Sequence, residues 1–375
     1  MRGKKTYIFG LSWICALLLL VSCSSDENDG QVPVGADVNL TLHVGVPGVD
    51  TKAGDATDVP DREKIEQLRI IVVDKETNEV EYNELCTFSR PESSYDISVK
   101  KNGTKLVYLL GNTVSTLSGL GSIAKEATWD ADQVDDKTYD ASDTNTDPLP
   151  FTSKYEIKVA EEDVVKECYI AIAAVKFSFE FENQMAESKE GEDNGDEDGN
   201  GNNSTLTVGS VKISRLATAS YLLPHPASKW EEWTQNFENK IITDYEVPPT
   251  TDGTELHQDM TLTLNQEIAS GEAYTVPTFY ANESKYDNLF PDDKGQHYML
   301  KLVLNDQTYY KSIANEEGDE LSSLFRSTHV KIKVVVKKIT VEEGDVEIWA
   351  RKVPWEEGNT VTGGLEPVET DEDDE

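Results

Sequence analysis

Between residues 37 and 46 apolar and polar side chains alternate without a fault. Val38, Leu40, Leu42, Val44 and Val46 are interleaved with Asn39, Thr41, His43 and Gly45. Successive side chains of an extended chain leave opposite faces, so a strict period of two demands a β-strand with one face in a core. The period returns along the chain at Leu68, Ile70 and Val72, at Tyr95, Ile97 and Val99, and at Val175, Phe177, Phe179 and Phe181. It recurs at Met260, Leu262 and Leu264, at Tyr298, Leu300, Leu302 and Leu304, and at Val330, Ile332, Val334 and Val336. Turn-forming sequences punctuate these runs. Asn102-Gly103 is the preferred two-residue hairpin turn and predicts that Tyr95–Val99 pairs with Leu106–Leu110, and Asn305-Asp306 predicts a turn into Thr308–Ile313.

Helical spacing is scarce. Leu117, Leu120 and Ile123 predict a short helix within Thr113–Ala127. Ser228 and Glu231 have capping-box spacing, and Trp230, Trp233 and Phe237 share one helical face behind them. Strands do not alternate with helices, which excludes a nucleotide-binding α/β fold. The fold class is all-β, with sandwich domains and a few short helices. A charged stretch at Glu161–Glu167 divides an N-terminal sandwich domain, 37–163, from a C-terminal one, 164–358. Residues 184–204 are almost devoid of apolar side chains and are expected to be a disordered acidic insertion, and 359–375 an acidic tail.

The formal net charge is −37, and residues 1–22 hold Arg2, Lys4 and Lys5 with no acid, so the rest is more acidic still. Such a surface repels nucleic acid and anionic membrane faces as partners. Lys4 and Lys5 followed by the apolar run Ile8–Val21 read as a signal peptide, too short to span a bilayer. Leu20-Val21-Ser22-Cys23 resembles a bacterial lipobox, which implies cleavage after residue 22 and lipidation of Cys23 ahead of a linker, 23–36. Ser24-Ser25-Asp26-Glu27-Asn28-Asp29 is similar to the acidic tag of surface-exported lipoproteins. Cys86 and Cys168 are left either to form one disulfide or to serve as two buried thiols.

After the first strand comes a polar, Gly- and Pro-bearing loop, Pro47–Asp61, with Lys52 in its middle. A strand tethered through such a loop is easily cut away by proteolysis. Chemistry-bearing motifs are otherwise weak. His43, His225, His257, His297 and His329 are scattered, with no two at catalytic or metal-ligand spacing. Gly119-Leu120-Gly121 lacks the spacing and βαβ context of a dinucleotide loop. Asn194–Thr205 aligns with a calcium loop through Asp196, Asp198 and Gly199 but fails at the first and twelfth ligands. Trp230, Trp233 and Tyr221 read as a packed helix face in preference to a glycan platform. No catalytic residue, metal site or cofactor is assigned, and the chain reads as a non-enzyme.

Several segments in their shared order resemble the fimbrillin family of Bacteroidetes, the type V pilus subunits. They are the lipobox at Cys23, Thr51-Lys52-Ala53 ahead of Ile65–Asp74, and Leu106-Val107-Tyr108-Leu109-Leu110-Gly111-Asn112. Leu149-Pro150-Phe151-Thr152, Ala174–Phe179, Pro277–Glu283, Leu324–His329 and Val353-Pro354-Trp355 follow. The resemblance implies two transthyretin-like, Greek-key β-sandwiches exported as an outer-membrane lipoprotein. It implies cutting between Lys52 and Ala53, release of the strand bearing Val38, Leu40, Leu42, Val44 and Val46, and refilling by a strand of an adjacent subunit. The implied partners are other fimbrial subunits, the outer membrane through the lipid on Cys23, and host or bacterial surface receptors. The alternative is a non-polymerising surface lipoprotein, or a fimbrial anchor or tip adhesin.

Overall fold

The computed structural model describes residues 37–46, 60–65, 67–89, 92–143, 148–185, 205–225, 257–285, 297–315, 318–339 and 344–354. The positions of the expected signal peptide (1–22), Cys23, the expected linker (23–36), Lys52-Ala53, residues 186–204, the helix expected at Trp230–Phe237 and the expected 359–375 tail lie outside these residues.

In the first half the strands are β1 (Asp37–Gly45), β2 (Gln67–Asp74), β3 (Val80–Thr87), β4 (Glu92–Lys100), β5 (Gly103–Gly111), β6 (Thr138–Tyr139), β7 (Phe151–Val159), β8 (Val164–Tyr169) and β9 (Ala171–Ile172). The second half begins with β10 (Val175–Asn183), β11 (Leu206–Ala217), β12 (Ser220–Tyr221), β13 (His257–Ile268), β14 (Ala273–Thr275) and β15 (Phe279–Ala281). It ends with β16 (Ser284–Lys285), β17 (Met299–Leu304), β18 (Gln307–Ser312), β19 (Ser323–Leu324), β20 (Thr328–Ile339) and β21 (Gly344–Pro354). The described chain is an all-β sandwich structure, with only short 3-10 turns besides.

Two cores organise it. The first is enclosed by a sheet ordered β4-β1-β8 and a second ordered β3-β2-β5-β7-β9. The second lies between β14-β10-β20-β21 and β13-β11-β17-β18. The alternating runs fall where their period places them. Leu300, Leu302 and Leu304 of β17 and Val330, Val334 and Val336 of β20 are fully buried, and β10 alternates buried and half-buried along its length. Ala174 belongs to the first core and Val175 to the second, so the change of core comes later than the 163/164 boundary read from the sequence. β8 stands with the first sheet because it pairs with β1. Met185 also packs into the second core, so the ordered chain outruns the expected start of the insertion at residue 184.

Two other expectations are corrected. Asn102 and Gly103 do turn, with φ of 60° and 117°, yet β4 and β5 lie in different sheets. Both edges of β5 are taken by β2 and β7, which leaves β4 to pair with β1. The helix expected within Thr113–Ala127 is a series of turns with one 3-10 segment, Leu120–Ser122. Gly119 sits at φ 98° and Glu126 at φ 70°, conformations that end a helix. Leu117 and Leu120 are nonetheless buried, so the apolar spacing reports anchoring to the sheet.

The halves are joined by buried polar contacts. Arg326, 1% exposed, donates from Nε to Glu283 Oε2 at 2.8 Å and from Nη2 to Glu283 Oε1, and reaches the carbonyls of Tyr221 and of Leu222, a second-half residue whose side chain is buried in the first core. Asn282 accepts from the Ala141 N–H at 2.8 Å and donates to the Ala217 carbonyl at 3.0 Å.

His329 is buried beside Ser178, its Nε2 2.8 Å from the hydroxyl oxygen. Burial, with the Lys176 and Lys331 ammoniums nearby, lowers its pKa to about 3. The folded state therefore favours the neutral ring, and the unfolded chain takes up the proton first as pH falls. His329 contributes stability that is fully present above about pH 6.5 and drains away toward pH 3, on the order of 5 kcal/mol in all. Urea midpoints for the wild type and His329→Gln should converge or cross over that window. Parallel pH profiles would contradict this.

Candidate functional site

The slot is built from β1 and its two neighbours. β1 runs antiparallel to β4, with Leu40 opposite Ile97 and Leu42 opposite Tyr95, and parallel to β8, with Leu40 opposite Val164 and Val44 opposite Cys168. The structure places β1 in the middle of its sheet. Within that sheet, β4 and β8 are held together by β1 alone. The reason is visible in the residues. β1 is apolar on every second position and carries no charge that must reach solvent on its inner face, so it can occupy a central position.

Leu40, Leu42 and Val44 are wholly buried, Val46 is 6% exposed, and Val38 is partly buried against the same core. Each such side chain contributes about 1.5–3 kcal/mol on burial. The exchangeable set proposed from the sequence is thus one continuous inward row.

The outward row is polar and specific. Thr41 Oγ1 donates to Asp96 Oδ1 at 2.7 Å, and Asn39 Nδ2 reaches the same oxygen at 3.3 Å. His43 Nδ1 lies 3.4 Å from Glu92 Oε1. The Asn39 N–H donates to Asp163 Oδ1 at 2.8 Å, and Ser98 donates to Asp37 at 3.1 Å. Hydrogen bonds from Thr41 and then Asn39 hold the Asp96 carboxyl below its usual range. This contact is present at neutral pH and is lost as Asp96 protonates in acid.

Strands β4 and β8 are braced from behind. Tyr95 Oη donates to the Thr87 carbonyl at 2.8 Å, and Tyr155 Oη donates to the Tyr169 carbonyl at 2.8 Å while accepting the Tyr169 N–H at 2.6 Å. The slot walls therefore have supports of their own besides β1.

Downstream of Lys52 in the sequence, the described chain is anchored at Pro60–Ile65. Glu63, 2% exposed, accepts from Tyr280 Oη at 2.8 Å and pairs with Lys176 Nζ at 2.8 Å. Burial and the Glu63 carboxylate both raise the Tyr280 pKa. Arg62 donates to the Asp143 carbonyl at 2.9 Å and stacks over the Tyr280 ring. Ile65 packs so close to Gly111 that a Cβ there would collide with Ile65 Cδ1. Sequence reading missed the Glu63, Lys176 and Tyr280 cluster, because nothing local marks partners more than a hundred residues apart.

The remaining candidates do not assemble into a site. Cys86 on β3 and Cys168 on β8 are free thiols, and burial pushes the Cys168 pKa up to about 12. His225 stacks on Tyr221 at 3.7 Å between ring centroids, and His297 lies between Glu320 and Ser312. Among the described residues no group of three or more His, Cys, Asp or Glu side chains is placed to hold a metal ion.

No family model matches the chain, and no curated protein matches it in sequence. Its fold matches solved structures. A putative cell adhesion protein from Parabacteroides distasonis superposes with a TM-score of 0.51 at 15% identity, over 86% of this chain and 98% of that one. The tip fimbrial protein Mfa3 from Porphyromonas gingivalis gives 0.49 at 12% identity, over 85% and 100%. A fimbrilin (FimA) from Porphyromonas gingivalis gives 0.45 at 14%, over 85% and 98%. At these identities the likeness is one of fold.

Proposed function

We propose that this chain, folded like a putative cell adhesion protein, is a non-enzymatic structural subunit of a cell-surface fimbrium and a member of the fimbrillin family. It is exported as a lipoprotein on Cys23 and assembled by removal of β1 and strand exchange, serving adhesion. The observation that carries this reading is the placement of β1. It lies between two strands that it alone joins, and it presents an unbroken apolar row to the core. Taking it away would uncover an apolar groove flanked by two unpaired backbone edges, which a strand of matching alternation refills favourably.

The domain reading extends the same logic: two sandwiches, one per core, with the slot in the first. A second reading, an anchor or tip subunit that ends a fibre, is favoured by the sequence of residues 356–375. Val361, Leu365 and Val368 there are the only large apolar residues, set among nine acids.

Treating the purified precursor with a trypsin-like protease tests the proposal. The expected products are chains beginning at Ala53 and ladders that resist SDS. Trimmed protein that remains monomeric, alone and with subunits of the same surface, would sink the assembly reading. On cells, mass spectrometry of the N-terminus should find lipidated Cys23 on uncut chains.

A further inference from the structure

The outer rim of the slot is acidic, and the strand that now fills it answers that charge with donors. Glu92 and Asp96 point outward from β4, Glu167 from β8, and Asp163 stands just before β8; all four are exposed. His43 has Glu167 as its direct partner on β8 and Glu92 at 3.4 Å on the β4 side. Thr41 and Asn39 both donate to Asp96, and the Asn39 N–H donates to Asp163. Between Val38 and Val46 the occupying strand carries no acid. Like charges set directly opposite on neighbouring strands are destabilising, and opposite charges or hydrogen-bonding pairs are favourable. The inward row alone would admit any alternating apolar segment, so discrimination falls to the outward row.

We infer that the slot selects its occupant on the outward face: the replacing strand is an extended segment of a different polypeptide, with a cation in the place of His43 and hydrogen-bond donors in the places of Asn39 and Thr41. This rests on the exchange reading above and names the partner that reading leaves open. Residues 356–375 of this chain have the opposite chemistry, with nine acidic side chains and no Lys or Arg. Laid along the rim, they would set carboxylates against Glu92, Asp96 and Glu167. A second copy of this chain is therefore a poor donor through that segment, and the fitting donor is a subunit whose strand is basic or amide-rich between its apolar positions.

Two measurements test this. The first uses the full chain with β1 in place. His43→Lys should raise, and His43→Glu lower, the urea midpoint of unfolding, and the two should converge in a background carrying Glu92→Gln and Glu167→Gln. Equal midpoints for the Lys and Glu variants in the wild-type background would overturn the inference.

The second measures capture of labelled peptides by the chain while a trypsin-like protease trims it. The probes are the Asp37–Val46 sequence, its His43→Lys form, its His43→Glu form and the Asn359–Glu369 sequence. The His43→Lys peptide should be retained about tenfold more tightly than the His43→Glu peptide, with the gap narrowing at high salt. The Asn359–Glu369 peptide should be retained no better than the Glu form. Tight retention of that peptide would overturn the inference and point to self-assembly. Failure to retain any peptide would defeat the exchange reading instead, and the first measurement would still decide whether the rim reads charge.

Discussion

A full-length chain carrying Leu42→Asp is expected to release β1 from its sheet without any cut. Leu42 is wholly buried, opposite Tyr95 on β4 and Lys166 on β8. Removing its side chain alone would cost about 2–5 kcal/mol, and an unpaired buried carboxylate adds several more. Expelling the strand avoids the second penalty at the expense of the whole inward row. Hydrogen exchange should then show lost protection in β1, β4 and β8 together. β2, β5 and β7 should keep theirs, since their ladders run to one another. Loss of protection confined to β1 would mean that β4 and β8 find other partners, and the slot would not exist in the form described.

Lys105→Met is expected to be the most destabilising conservative-sized change in the first core. Lys105 is fully buried on β5, its Nζ 2.6 Å from Asp74 Oδ2 and 2.8 Å from Glu81 Oε1. Burial alone would push the Asp74 carboxyl up, but the Lys105 hydrogen bond and the Thr77 and Glu76 amides bring it below its usual range. Removing the ammonium leaves two buried carboxylates facing each other, a loss of about 3–5 kcal/mol. The pH dependence gives a second readout. In the variant at least one carboxyl has its folded pKa raised above the unfolded value. The penalty is then full at pH 7 and shrinks as pH falls through that raised value. Adding Glu81→Gln should recover much of the loss. A Lys105→Met chain with a wild-type midpoint would show that the cluster contributes nothing net.

These cases also show what could be read from residues alone. The inward row of β1, the buried row of β17 and the alternation of β10 were legible because a period of two is a local property. Pairing is not local. Asn102-Gly103 announced its turn correctly, but which strand lies beside β5 was decided by β2 and β7, whose apolar runs compete for the same edges. The spacing of Leu117 and Leu120 signalled burial faithfully and its geometry wrongly, since Gly119 permits a turn where a helix needs continuation. The slot's central position, its acidic rim and the Glu63 cluster depend on register between distant segments. No single stretch carries that information.

The two unlike neighbours of β1 have a mechanical consequence. A strand bonded along both sides and pulled along its own axis cannot be opened one rung at a time. Every rung must slide at once, so the joint resists as a block. The parallel neighbour, β8, leads through Ile170–Ala174, which includes β9, into β10, an inner strand of the sheet that covers the second core beside β20. Tension applied to β1 is thus handed through β8 along one short stretch of backbone into the next packed body.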